Sequence, residues 1–184
     1  MKSTNTKYTT CYCEENIWHL CQDADLVQFP KYVLCISNIA KQCPFWFQKS
    51  APVQEFTCWD YHVVLTVYKG GWQIFDLDTT LPFPIELKAY MSLTFKGLPD
   101  IHPEYFPKFK IIGAERYVRE FHSDRKHMKD TDGKWLSPPP DWPMILSGKQ
   151  LCIGELFDFS GSSKQEIYSL VEMADYLNEK VLVL

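Results

Sequence analysis

The chain has 184 residues, a formal net charge of −4 at pH 7, and a composition that is 46% hydrophobic and 23% charged. This length predicts one domain, residues 1–184, with enough apolar residues for a substantial core. The negative net charge argues against nucleic acid as the main partner, and no apolar run is long enough to cross a bilayer. These features favour a soluble globular protein that binds neither nucleic acid nor membrane.

Seven cysteines are scattered along the chain without the spacing of a disulfide framework. Residues 1–10 are polar, lack the apolar stretch of a signal peptide, and are expected to be flexible. We therefore expect reduced thiols in a cytoplasmic protein, with the nucleus as a second location. Cys11 and Cys13 do not form a C-x-x-C pair, and no second pair follows at zinc-finger spacing, so no metal site is predicted.

The first predicted helix covers residues 13–22, because three apolar residues recur at helical spacing: Ile17, Leu20 and Cys21. Cys13 then lies at or just before the helix start, where the dipole and the free backbone N–H groups lower a thiol pKa and can hold an oxyanion. Glu14 and Glu15 in the first turn oppose the thiolate unless their carboxylates point outward. The alternative is that Cys13 is a small buried residue, as most free cysteines are.

Residues 31–38 and 44–48 are predicted to form strands, and a hairpin follows them. Its two strands alternate strictly, and the short Gly-rich loop between them makes Tyr68 and Trp72 the closing pair. In this register one face of the hairpin belongs to the core: Tyr61, Val63, Leu65, Val67, Gln73, Phe75 and Leu77.

The other face of the hairpin carries His62, Asp76 and Asp78. In the predicted register His62 lies opposite Asp78 and diagonal to Asp76, within reach of either carboxylate. One interpretation is that this face is the solvated side of an antiparallel hairpin. The other is that Cys13 completes a Cys-His-Asp constellation of the kind used in nucleophilic catalysis. The register alone does not choose between the two aspartates.

After the hairpin, residues 81–84 form a predicted stiff turn. An amphipathic helix is predicted over about residues 85–95, with Pro84 in its first turn. A short strand at residues 109–112 and a helix at residues 114–121 follow.

The C-terminal part of the chain begins with residues 123–129, which are charged and expected to be solvated. The proline-rich residues 133–143 are predicted to form an extended loop, because consecutive prolines exclude a central strand. The last predicted helix covers about residues 163–178 and has one apolar face: Ile167, Leu170, Val171 and Ala174.

Several blocks of this sequence are specific enough to compare with a known family: Cys11-Tyr12-Cys13-Glu14-Glu15-Asn16-Ile17-Trp18, Trp59-Asp60-Tyr61-His62-Val63, Asp76-Leu77-Asp78-Thr79 with Leu81-Pro82-Phe83-Pro84, Ser123-Asp124-Arg125, His127-Met128-Lys129-Asp130 and Pro138-Pro139-Pro140. In the same order, they resemble signatures of the protein N-terminal glutamine amidohydrolase family. The similar blocks extend from residue 11 to residue 143, and the remaining C-terminal residues resemble the family more loosely.

The resemblance implies a papain- or transglutaminase-like α/β (α+β) fold, in which helices pack on an antiparallel sheet. It assigns Cys13 as the nucleophile, His62 as the base and Asp76 as the acid that orients the histidine. Cys11 is the alternative nucleophile. No metal or organic cofactor is implied.

The activity implied by the resemblance is hydrolysis of the side-chain amide of N-terminal glutamine, which yields glutamate and ammonia and feeds the N-degron pathway. The partners are then proteins or peptides with a free N-terminal glutamine, and a monomer is expected. Five residues are candidates for substrate binding: Tyr12, Glu14, Trp59, Asp60 and Asp78. The sequence does not rank the three carboxylates as acceptors for the substrate α-ammonium group.

Two alternative functions stay open at this point. The same Cys-His-Asp constellation can serve a transglutaminase- or peptidase-type cysteine enzyme. In the other alternative, the protein is a non-catalytic reader of protein N-termini, and the hairpin is only a docking face.

Overall fold

The computed structural model describes residues 6–52, 55–146, 148, 150–163 and 165–181, so the first five residues of the expected flexible segment lie outside the described residues. The helices are α1 (Cys13–Leu20), α2 (Leu87–Thr94), α3 (Ala114–Glu120), α4 (Ile153–Leu156) and α5 (Leu170–Val181). The strands are β1 (Lys31–Ser37), β2 (Cys43–Trp46), β3 (Phe56–Trp59), β4 (His62–Tyr68), β5 (Trp72–Phe75), β6 (Ile85–Glu86), β7 (Lys108–Gly113), β8 (Phe121–His122) and β9 (Leu151–Cys152). In this part of the chain, no helix combines the length and the apolarity that a membrane crossing requires.

A five-stranded antiparallel sheet in the order β6-β5-β4-β1-β7 forms the centre of the fold. The hairpin of β4 and β5 closes with Tyr68 opposite Trp72, and Leu65 pairs with Phe75. The predicted hairpin register is therefore confirmed up to Phe75, where β5 ends. The prediction of a mixed α/β fold with helices packed on an antiparallel sheet is also confirmed.

Helices cover both faces of this sheet. One hydrophobic cluster joins α1, α3 and α4 to β4 residues such as Val63 and Leu65. A second cluster joins α2, α5 and β2 to the alternate β4 residues, such as Val64. The interpretation of the His62 face as solvated is wrong, because these elements cover it and leave only 1% of His62 exposed.

Helix α2 begins two residues later than predicted. Ile85 and Glu86 pair with β5 as the edge strand β6, and the helix starts at Leu87. Pro84 therefore lies in the turn before the sheet edge and not in the first turn of the helix.

Helix α5 also begins later than predicted, because Ser169 and Glu172 form a capping box. The Glu172 N–H donates to Ser169 Oγ at 3.3 Å, and the Ser169 N–H donates to Glu172 Oε2 at 2.7 Å. The buried residues of α5 are Met173 and Leu177. The predicted apolar face is wrong at Val171, which is 66% exposed.

The first turn of α1 is anchored by the buried side chain of Glu15. Arg125 donates to this carboxylate through Nε at 2.8 Å and through Nη2 at 2.7 Å. Ser123 Oγ and Trp142 Nε1 donate to it at 2.9 Å and 2.7 Å. The prediction that residues 123–129 are solvated is therefore wrong at Ser123 and Arg125, which turn inward to satisfy a buried charge.

We expect Arg125→Ala to lower the free energy of unfolding by about 3–5 kcal/mol, because it leaves the buried Glu15 carboxylate without its counter-charge. Urea-induced unfolding measures the loss. Arg116→Ala is the control, since Arg116 pairs with Glu120 at 2.8 Å on the surface, where such a pair is worth less than about 1 kcal/mol. Equal losses in the two variants would contradict an anchoring role for Arg125.

Candidate active site

Cys13 is the first residue of α1, which packs on β4. Its side chain is buried, and the thiol donates to Glu14 Oε2 at 3.6 Å. Burial, followed by the charges of Glu14 and Asp78, raises the pKa of the Cys13 thiol well above its ordinary value, although the backbone of Val63 opposes the shift. The inward-pointing Glu14 carboxylate thus adds to the effect of burial.

His62 forms a buried pair with Asp76, in which His62 Nε2 lies 2.9 Å from Asp76 Oδ1. Burial alone lowers the pKa of His62, but the charge of Asp76 and the hydrogen bond to it outweigh burial and raise the pKa. Burial likewise raises the pKa of Asp76, and the charge of His62 together with several hydrogen bonds lowers it overall. The structure therefore pairs His62 with Asp76 of the two aspartates that the hairpin register left open.

Asp76 is held by three further donors from different parts of the chain. Tyr90 OH and Gln48 Nε2 donate to Oδ2 at 2.7 Å and 3.2 Å, and the Asp78 N–H donates to Oδ1 at 2.9 Å. Sequence reasoning missed Gln48 and Tyr90, because neither belongs to one of the motifs. These donors fix the carboxylate that in turn fixes His62.

The imidazole of His62 is enclosed by two aromatic side chains. Trp59 stacks on it with ring centroids 5.6 Å apart and an interplanar angle of 10°. Phe45 contacts it edge-on at 5.3 Å. Trp59 is held in turn by Gln48, whose Oε1 accepts from Trp59 Nε1 at 3.3 Å. Because Asp76 engages Nε2, the ring nitrogen left for other chemistry is Nδ1.

A cavity of about 400 Å³ opens beside the Cys13 thiol. Its walls include most of the predicted site residues: Cys13, Trp59, Asp60, His62 and Asp78, together with Cys11, Tyr61 and His127. Cys13 and His62 thus line one cavity, and Asp76 reaches it only through His62. In the described part of the chain, the thiol donates to Glu14 and not to His62.

The two other predicted substrate-binding residues, Tyr12 and Glu14, do not line this cavity. The Tyr12 ring is buried, and its hydroxyl donates to the Ser137 carbonyl at 3.2 Å. Glu14 is buried between two residues that line the cavity: Oε2 accepts from Cys13, and Oε1 lies 3.4 Å from His127 Nε2.

His62, Asp76 and Asp78 lie close enough together to be considered as metal ligands, since one donor atom from each falls within 4.8 Å of the others. Both oxygens of Asp76 already accept hydrogen bonds. Asp78 Oδ1 accepts from Tyr8 OH at 2.6 Å. Asp76 is therefore fully engaged by protein groups, and the arrangement suits acid–base chemistry at His62.

Comparisons with known proteins identify the family of this chain. The sequence model of the N-terminal glutamine amidase family matches residues 8–180. Proteins from Bos taurus and Homo sapiens, each named protein N-terminal glutamine amidohydrolase, are 46% identical over 147 residues, which is 77% of this chain and 71% and 72% of theirs. A protein of the same name from Drosophila melanogaster is 37% identical over 180 residues, 93% of this chain and 88% of its own. The resemblance found in the sequence is confirmed, and the chain belongs to the N-terminal glutamine amidase family.

Proposed function

We propose that this protein hydrolyses the side-chain amide of N-terminal glutamine in proteins and peptides, producing N-terminal glutamate and ammonia. The observation that carries the proposal is the cavity in which a helix-start cysteine meets a histidine buried against an aspartate. The identity of the substrate is inferred from the relatives, which are named protein N-terminal glutamine amidohydrolase.

In this mechanism Cys13 is the nucleophile, His62 is the base and Asp76 orients the histidine. Cys13 passes its proton to His62, and the sulfur attacks the δ-carbonyl carbon of glutamine. The first backbone N–H groups of α1 lack intrahelical partners and hold the oxyanion that forms. His62 then donates the proton to the leaving nitrogen, and ammonia departs as a thioester remains on Cys13.

Hydrolysis of the thioester completes the cycle. His62 takes a proton from water, the hydroxide attacks the thioester carbon, and the proton returns to the Cys13 sulfur as glutamate leaves. Asp76 keeps Nε2 engaged throughout and stabilises the imidazolium that forms twice in each cycle. This scheme uses no cofactor.

The protein's setting is part of the same proposal. All seven cysteines are free, which fits a reducing compartment, and we place the enzyme in the cytoplasm or the nucleus as a monomer. Its product, an N-terminal glutamate, would then feed the N-degron pathway.

We expect Cys13→Ala to lower kcat by more than about 10³-fold, because no other group in the scheme can form the thioester. Cys11→Ala, which also changes a thiol on the cavity wall, should keep most of the activity. Ammonia release from a glutamine-initiated peptide measures both variants. The opposite ranking would show that Cys11 is the nucleophile.

Asp76→Asn should lower kcat by about 10²–10⁴-fold, because an amide at this position favours the wrong histidine tautomer. Asp78→Asn should have a smaller effect, since Asp78 contacts Asp76 only through its backbone N–H. Steady-state kinetics gives both values, and thermal unfolding checks that each variant is folded. A larger loss in Asp78→Asn would mean that the orienting acid has been misassigned.

The identity of the first substrate residue should control the rate. In asparagine the side-chain carbonyl lies more than about 1 Å short of the sulfur when the amine is bound in the same place, a misplacement that costs about 10²-fold or more. We therefore expect kcat/KM to fall by at least that factor for asparagine-initiated peptides. Mass spectrometry of the products separates the alternatives: a cross-link or a cleaved peptide would indicate a transglutaminase or a peptidase, and binding without ammonia release would indicate a reader.

A further inference from the structure

Glu14 and Glu15 are adjacent, identical and both fully buried, yet their environments differ sharply. The Glu15 carboxylate is saturated by Arg125, Ser123 and Trp142. The Glu14 carboxylate accepts the weak thiol donor of Cys13 on Oε2, and the Tyr61 hydroxyl lies close to it. Glu14 Oε1 has no hydrogen-bond partner in the described part of the chain. Glu15 is therefore a structural anchor, and Glu14 keeps one oxygen unused.

The histidine next to the open oxygen does not satisfy it. His127 Nε2 lies 3.4 Å from Glu14 Oε1, within ion-pair distance but outside hydrogen-bond geometry, and this nitrogen also lacks a hydrogen-bond partner. A buried carboxylate with an unsatisfied oxygen is costly unless a donor reaches it. His127 and Cys13 line the cavity, and Glu14 lies directly behind them in the cavity wall.

Each of the other two candidate carboxylates already accepts a hydrogen bond from the protein on one oxygen. Asp78 Oδ1 accepts from Tyr8 OH at 2.6 Å. Asp60 is exposed, and its Oδ1 accepts from the Tyr61 N–H at 2.9 Å. Asp78 is also buried, but among the three carboxylates that the sequence could not rank, Glu14 is the one with a fully buried oxygen that has no hydrogen-bond partner in the described part of the chain.

The length of the glutamine side chain is also compatible with Glu14 as the acceptor. In glutamine the δ-carbon and the α-nitrogen are separated by no more than about 5 Å. A glutamine whose δ-carbonyl lies against the Cys13 sulfur therefore carries its α-nitrogen within reach of the carboxylate that contacts the same sulfur.

We propose that Glu14 is the acceptor for the α-ammonium group of the N-terminal glutamine, with the neighbouring His127 Nε2 as a second acceptor. An ammonium group brings three N–H donors, and Glu14 Oε1 and His127 Nε2 are two open atoms 3.4 Å apart. This inference rests on the proposed function, because it takes Cys13 as the point of attack. The bound ammonium also competes for the carboxylate to which the thiol donates, which frees the thiol proton for His62.

The test compares two peptides that differ only at the amino group, one with a free N-terminal glutamine and one with Nα-acetylglutamine. For Glu14→Gln we expect the ratio of kcat/KM, free over acetylated, to fall roughly 10- to 100-fold, the value of a hydrogen bond to a charged group. Asp60→Asn and Asp78→Asn are the matched controls, and their ratios should stay within about threefold of wild type. An unchanged ratio in Glu14→Gln would overturn the proposal even if the activity fell for both peptides.

A binding measurement separates this inference from the proposed function. Calorimetry on Cys13→Ala and on Cys13→Ala/Glu14→Gln gives the Kd of both peptides without turnover. We expect the second substitution to weaken the free peptide roughly 10- to 100-fold and to leave the acetylated peptide unchanged. If wild-type protein releases no ammonia while this difference is present, the proposed function fails and the inference stands.

The remaining outcomes overturn the inference. Equal weakening of both peptides would give Glu14 a structural role, and no weakening would remove it from substrate binding. Glu14→Asp keeps the charge and guards against a folding defect: we expect it to restore at least part of the discrimination lost in Glu14→Gln. A Glu14→Asp variant that folds as wild type and discriminates no better than Glu14→Gln would also contradict the proposal.

Discussion

The structure depends on where α1 begins relative to β4, and the buried ion pair of Glu15 with Arg125 fixes that point. Cys13 is the first residue of the helix, so any slide or rotation of the first turn moves the sulfur relative to His62. A bidentate guanidinium–carboxylate pair resists such movement because both hydrogen bonds have a fixed direction. Trp142 donates to the same carboxylate, which ties the proline-rich loop to the same point. Burying two charges costs solvation free energy, and in this protein the buried pair fixes the position of the first turn of α1.

The electrostatic environment of Cys13 follows from the position of the first turn of α1. Glu14 and Asp78 both raise the pKa of the buried thiol, so both carboxylates oppose formation of the thiolate. A thiol with a raised pKa is a weaker nucleophile and a poorer target for oxidants. An arriving cation changes the balance, because it offsets the negative charge that opposes the thiolate. The acidic surroundings that look unfavourable for a thiolate are therefore suited to a substrate that carries its own positive charge.

The sequence predicted the parts of this fold that depend on local patterns. Strict alternation and the Gly-rich loop specified the Tyr68–Trp72 closure of the hairpin, and the resemblance in the Cys-Tyr-Cys and Trp-Asp-Tyr-His blocks identified the family. Alternation marks which residues share a face, but it does not say what covers that face, and α2 and α5 bury the side that carries His62. Gln48 and Tyr90 had no sequence signal, because their roles arise only when separate elements meet at Asp76.

The choice between Asp76 and Asp78 shows what a register argument lacks. Both lie beyond Phe75, where β5 leaves the ladder, so the cross-strand geometry that placed His62 near both no longer applies there. The chain turns, and the Asp78 N–H folds back onto Asp76 Oδ1, which leaves the Asp76 side chain on His62 and directs that of Asp78 to Tyr8. The turn after the strand thus converts two similar aspartates into a histidine partner and a cavity wall. Neither role can be exchanged without moving the backbone that joins them.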